Sequence, residues 1–220
     1  MHSLLRGKKP RALGVTSKLG RTRFKSEKGR LFPRRIAHSS HSNVRRVFFA
    51  VRLTPAQQKQ VQRHWLNRLS GKRNIKIQHP EKLHITLHFV GNMTPSELNK
   101  LIERFQKTIL PSAAMIQIGG KKPVGTFQSP NILFARVRDP NSFLKELNKW
   151  LYELWPQKRF DYTPHVTLAK EMDSDQLRDL SEKVNRSSLR FDYVPKEIVL
   201  VEKYTKNGQS KHRVISRKRF

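Results

Sequence analysis

The sequence contains no cysteine, few acidic residues and no long apolar run. Without cysteine there is no disulfide framework and no thiolate metal site, and nothing points to an oxidising compartment. Apolar runs such as VFFAV fall far short of the roughly 20 residues needed to span a membrane. No apolar stretch near residue 1 has the form of a secretory signal. The expectation is a soluble, cytoplasmic, monomeric protein with no membrane association. Its 220 residues suit one domain, or two small lobes sharing a core.

Acid is scarce against base: 16 Asp+Glu face 46 Lys+Arg, a formal charge of +30. Residues 1–46 hold 14 of those cations and a single acid, Glu27, yet the remainder is also strongly basic. Such an excess favours a polyanionic partner, most commonly nucleic acid. A non-catalytic RNA-binding protein is the simplest reading of composition alone.

Residues 1–43 show neither a helical nor a strand period and are rich in Arg, Lys, Ser and Gly, so they read as a disordered basic arm. An RNA-binding arm, a transit peptide and a start codon assigned too early all fit that composition. Regular patterning begins in a second region, 44–220. VFFAVRL (47–53) reads as a buried strand, and Thr54-Pro55 opens a helix to about Leu69 with Val61, Trp65 and Leu69 on one face. LHITLHFV (83–90) alternates as a strand, and Thr94-Pro95 starts a helix ending near Leu110. Strands follow at 114–120 and 132–138, a helix at 141–154, a strand at 165–169 and a helix at 174–184. A closing hairpin pairs EIVLVEKY (197–204) with HRVIS (212–216) around Asn207-Gly208. Strand, helix and H-x-T-L strand thus occur twice, a weak internal repeat. The 81 residues between His84 and His165 suggest similar lobes more than neighbouring strands.

With 9 His and 10 Thr, roughly 0.4 H-x-T triplets would arise by chance. Two occur, HITL (84–87) and HVTL (165–168), both in expected strands. Residues i and i+2 share a strand face, so His84 pairs with Thr86 and His165 with Thr167. Leu83, Ile85, Leu87 and Phe89 would turn to a core. Two imidazoles facing one cleft can act as base and acid near neutral pH, and hydroxyls can donate to phosphate oxygens. This is a metal-free set for phosphodiester displacement. His84 and His88 have the four-residue spacing of helical metal ligands, but in a strand they stand about 13 Å apart. His88 therefore lines the face of His84 or meets solvent, and no metal or other cofactor is expected.

These motifs and their surroundings resemble a known family. KLHITLHFVGNM, GTFQSPNILFARV, YTPHVTLAK and the hairpin EIVLVEKYTKNG are similar to segments of the two-histidine phosphoesterases, specifically the RNA 2',3'-cyclic phosphodiesterases (2'-5' RNA ligase-like proteins). The resemblance covers about residues 45–220. It implies a bilobal α+β fold, two antiparallel sheets facing a central groove with helices outside. It also implies an RNA-processing enzyme that opens a terminal 2',3'-cyclic phosphate on RNA to a 2'-phosphate. It would make His84 the proton donor and His165 the proton acceptor, with Thr86 and Thr167 binding phosphate. His212 departs from relatives that carry an aromatic such as Tyr. Phe127, in a glycine-containing loop, is a candidate for base stacking, and Lys170 and Arg136 are weaker candidates for phosphate contact. The same site could run as a 2'-5' ligase or a 2'-5' phosphodiesterase.

Overall fold

The computed structural model describes residues 44–71, 74–128, 130–157 and 161–220. The basic arm expected over 1–43 lies outside the described residues. Strand β1 (Arg45–Arg52) is apolar without alternation because it is buried on both faces: Val47, Phe49 and Val51 on one, Phe48 and Ala50 on the other. Thr54 caps helix α1 (Pro55–Val61) in a capping box with Gln57, and Pro55 takes the first turn. The helix continues through a π-helical turn (Gln62–Leu66) into the short α2 (Asn67–Leu69), which keeps Val61, Trp65 and Leu69 fully buried.

Strand β2 (Lys76–Ile77) and a 3-10 turn (Pro80–Lys82) lead into β3 (His84–Met93). Helix α3 (Pro95–Lys107) repeats the capping box with Thr94 and Glu97. Then come β4 (Ile116–Gly119), β5 (Val124–Phe127), β6 (Ile132–Arg138), α4 (Phe143–Leu154) and β7 (His165–Lys170). Helix α5 (Ser174–Asn185), capped by Asp173, and β8 (Arg190–Tyr193) precede the hairpin β9 (Glu197–Lys206) and β10 (Gln209–Arg219). Asn207 and Gly208 both take positive φ (51° and 70°), as a two-residue hairpin turn requires. The short strands β2, β5 and β8 were not expected from the sequence, and Phe127 closes β5 rather than lying in a loop.

The fold is α+β, with helices on an open antiparallel sheet in the order β10-β9-β1-β3-β7-β6-β4-β8; β2 pairs with β7 and β5 with β6. The two histidine strands, which the spacing in the sequence assigns to similar lobes more than to neighbouring strands, meet at a single pair. β3 and β7 are neighbours, joined at the pair Ile85–Val166. Both of those residues are fully buried in the main core beneath the helices. The opposite face carries a smaller cluster of Phe48, Ala50, Val199 and Val201.

Each motif strand also bulges directly after its threonine. In β3 the register against β1 jumps from Thr86 to His88, and in β7 the register against β6 jumps from Thr167 to Ala169. A bulge reverses the faces of the residues that follow. Leu87 and His88 both turn inward, and Phe89 swings out to 61% exposure, contrary to the simple alternation. His88 is buried, its Nε2–H donating to the Trp155 carbonyl at 2.9 Å. The bulge carbonyls are held as well: Asn148 donates to Leu87 O (2.7 Å) and Tyr162 to Thr86 O (3.2 Å).

Candidate functional site

The antiparallel pair Ile85–Val166 fixes how the two motifs meet. One residue to either side, His84 stands across from Thr167 and Thr86 across from His165. All four side chains are half-buried and lie on the face opposite Ile85 and Val166. The outer neighbours match too: Arg52 of β1 is opposite His84, and Arg136 of β6 is opposite His165. Each arginine is anchored on a backbone carbonyl, Arg52 on Glu81 (3.0 Å) and Arg136 on Val124 (2.9 Å).

The imidazoles are oriented by one device used twice. His84 Nδ1 lies 2.6 Å from the carbonyl of Lys82, and His165 Nδ1 lies 2.8 Å from that of Thr163. A carbonyl oxygen only accepts, so each Nδ1 carries the hydrogen. Each Nε2 is then free to take a proton or, once protonated, to give one. Aromatic walls fix the rings. Phe48 and His212 pack on His84, at centroid distances of 5.1 and 5.6 Å. Phe127 and Phe134 pack on His165, at 5.1 and 5.2 Å.

Burial holds all three groove imidazoles below the ordinary histidine range. His84 falls to about 4, chiefly through burial, with the bond to Lys82 opposing and the charges of His165 and Arg52 adding to the effect. His165 is lowered by burial, opposed by its bond to Thr163. His212 also falls to about 4, from burial and then from the neighbouring charges of His84, Lys82, Lys203 and Lys170. A cavity of about 580 Å³ opens beside His84, between Lys82, Tyr204, Lys211 and His212. Lys82 Nζ bonds to Ser210 O (2.8 Å), tying the hairpin to the segment before His84. Thr86, His165 and Thr167 lie outside that cavity's lining. Among the described residues, no cluster of three or more His, Asp and Glu side chains could hold a metal ion.

The sequence reading missed Phe48, Arg52 and Phe134 as parts of the site. The first and last are hidden in apolar strands, and Arg52 in an excess of cations. It also missed Gly125. A Cβ there would lie 2.7 Å from Phe134 Cζ and 3.1 Å from Arg136 Cζ. Gly125 thus lets the phenyl wall of His165 and the arginine beside it lie flat on β5. Gly125→Ala should push Phe134 against His165, costing about 1–3 kcal/mol of stability and about tenfold in turnover at an optimum set by ring position. Thermal unfolding and steady-state kinetics on the same preparation check both.

The profile of the 2'-5' RNA ligase superfamily matches residues 51–207, and the chain belongs to that superfamily. Three curated relatives, each named RNA 2',3'-cyclic phosphodiesterase, are similar at low identity. The Methanocaldococcus jannaschii protein is 24% identical over 52% of this chain and 65% of its own length. The Geobacillus stearothermophilus protein is 27% identical over 58% of this chain and 42% of its own. The Archaeoglobus fulgidus protein is 26% identical over 65% of this chain and 82% of its own. The match therefore spans less than two thirds of the first two relatives. Among solved structures, E. coli LigT complexed with ATP superimposes with a TM-score of 0.64 at 20% identity, covering 80% of this chain and 98% of that one. The complex of LigT with 3'-AMP gives 0.64 at 18% identity, covering 81% and 98%. At these identities the structures show a shared fold.

Proposed function

We propose that this protein hydrolyses a terminal 2',3'-cyclic phosphate on RNA to a 2'-phosphomonoester, by acid/base catalysis from two histidines without a metal ion. The observation that carries the reading is the mutual placement of the motifs: two imidazoles of one tautomer, each across from the other motif's threonine. The relatives' names, applied to this chain, supply the substrate class.

His165 Nε2 takes a proton from water as its oxygen bonds to phosphorus. The P–O3' bond opposite breaks, and His84 Nε2 gives its proton to the departing oxygen. The balance is one water added and one proton passed through each imidazole. Thr86 and Thr167 donate to the phosphate oxygens, and Arg52 and Arg136 face the charge that develops there. Phe127, with one ring face stacked on Phe134 at 4.3 Å, offers its other face to a base. The choice of O3' as leaving group and of His84 as donor follows the family resemblance.

A short RNA ending in a 2',3'-cyclic phosphate, incubated in EDTA, should be converted to the 2'-phosphate at an unchanged rate. Phosphorus NMR against 2'- and 3'-phosphate standards reads the product. A 3'-phosphate, or activity lost to chelation and restored by a divalent ion, overturns the reading. The superfamily's name favours a second nucleophile at the same site, a 5'-hydroxyl in place of water, and so 2'-5' joining of RNA ends. A cyclic-phosphate end mixed with a 5'-hydroxyl end tests it: the hydroxyl takes the place of water, His165 accepts its proton as the oxygen bonds to phosphorus, and His84 protonates the departing O3', leaving a 2'-5' diester.

A further inference from the structure

The two motif strands share one ladder pair, Ile85–Val166. Because they run antiparallel, β3 continues past that pair beside residues 161–164, the segment that leads into β7. Pro164 in that segment has no N–H and cannot extend the ladder. Side-chain donors take over where β3 bulges. The Tyr162 hydroxyl donates to Thr86 O (3.2 Å), and the Asn148 amide donates to Leu87 O (2.7 Å).

Tyr162 does more than fill that gap in the ladder. The next residue, Thr163, supplies the carbonyl that holds His165 Nδ1 at 2.8 Å. One hydroxyl therefore links the backbone of the first motif to the support of the second motif's imidazole. The Tyr162 ring packs against the main core. Burial, and then the charge of Asp139, push its phenol up from the ordinary value, so it keeps its proton and stays a donor. Asp139 is fixed in turn at the start of α4, where its Oδ2 accepts from the N–H groups of Leu144 (2.8 Å) and Lys145 (3.2 Å). His84 has its own support: the Lys82 carbonyl at 2.6 Å, on a residue whose Nζ is bonded to Ser210 O. The two rings thus rest on different carbonyls, and the Tyr162–Thr86 bond is a tie between the segments that carry them.

We propose that Tyr162 is a positioning residue: its hydroxyl, bonded to Thr86 O, fixes the Thr163 carbonyl and thereby the tautomer and tilt of the His165 ring relative to the first motif. Without that bond, packing of the Tyr162 ring alone would tether the segment. A hydrogen bond weakens steeply as its angle closes, so a small shift of the Thr163 carbonyl is enough to free the imidazole. A misplacement of about 1 Å at a reacting group can cost on the order of 100-fold in rate. The effect on turnover rests on the cyclic-phosphate reading above; the hold on the ring does not.

Tyr162→Phe keeps the ring in the core and removes one oxygen, so the variant should fold and melt a few degrees below wild type. Long-range proton–nitrogen NMR spectra of the neutral imidazoles read their tautomers. In wild type His165 should carry its hydrogen almost wholly on Nδ1. In Tyr162→Phe its ring nitrogen signals should move toward those of a tautomer mixture, while those of His212, on β10, should stay in place. On an RNA ending in a 2',3'-cyclic phosphate, kcat should fall about tenfold with KM within about twofold of wild type, the split that marks a loss made in the transition state. A second measurement needs no variant: the Tyr162 hydroxyl proton of wild type should exchange slowly with water. Unchanged His165 signals in Tyr162→Phe overturn the proposal, as does a freely exchanging hydroxyl proton. In a protein active on that substrate, a kcat equal to wild type overturns it too. If wild type does not turn over the cyclic-phosphate end, the cyclic-phosphate reading fails, and the two NMR measurements still decide whether Tyr162 holds the ring.

Discussion

His84→Ala and His165→Ala should each slow hydrolysis of a cyclic-phosphate RNA end by about 10²–10⁴-fold, the usual contribution of a positioned general acid or base. Neither ring belongs to the main core, where Ile85 and Val166 between the motif residues remain in place, so both variants should stay folded. Their effects should not add. Once one proton transfer is lost the concerted displacement is lost, and the double variant should resemble the worse single one. Thr86→Ala and Thr167→Ala remove a hydrogen bond to phosphate and no proton transfer. Each should cost about 1.5–3 kcal/mol, or roughly 10–100-fold. Single-turnover rates alongside circular dichroism separate chemistry from folding. A rate near wild type in either histidine variant would exclude the two-histidine mechanism.

Most of what these variants probe was legible in the chain. The repeated H-x-T-L marks both imidazoles, because a strand's two-residue period needs no tertiary information to put His and Thr on one face. Thr54-Pro55 and Thr94-Pro95 placed two helix starts for the same reason: the signal is local. What was not legible is set by pairing across the sheet. Nothing around Ile85 or Val166 announces that β3 and β7 touch, so the spacing favoured similar lobes over neighbouring strands. The bulges at Leu87 and Leu168 are likewise invisible, since each is a register slip against a neighbouring strand. Their consequence is large: they turn Phe89 outward, bury His88 and bring Lys170 to the groove. Phe48 reads as core in VFFAV, and one face of β1 is indeed core; its other face became the wall of His84.

The pH dependence of catalysis should sit lower than two free imidazoles would place it. In the empty groove, burial and the neighbouring charges of His165 and Arg52 hold His84 at about 4, and burial holds His165 below its ordinary value of 6.5. The reaction needs one imidazole protonated and the other neutral, so kcat/KM, which reports the free protein, should be bell-shaped with its optimum below pH 6.5. Once the proton-donating imidazole is largely neutral, each further pH unit should cost about tenfold, so two units should cost about 100-fold. A bound cyclic phosphate brings a negative charge beside both rings, and an opposite charge favours the protonated form. The kcat profile, which reports the complex, should therefore move to higher pH than that of kcat/KM. Stability moves in a defined direction over the same range. An imidazole with a lowered pKa binds fewer protons in the folded than in the unfolded chain between about 4 and 6.5, so stability falls as pH is lowered through that window. A melting curve at each pH distinguishes this loss from the acid limb of catalysis. Profiles of kcat and kcat/KM that coincide, with an optimum at pH 7 or above, would show that the groove does not hold its histidines neutral before the phosphate arrives.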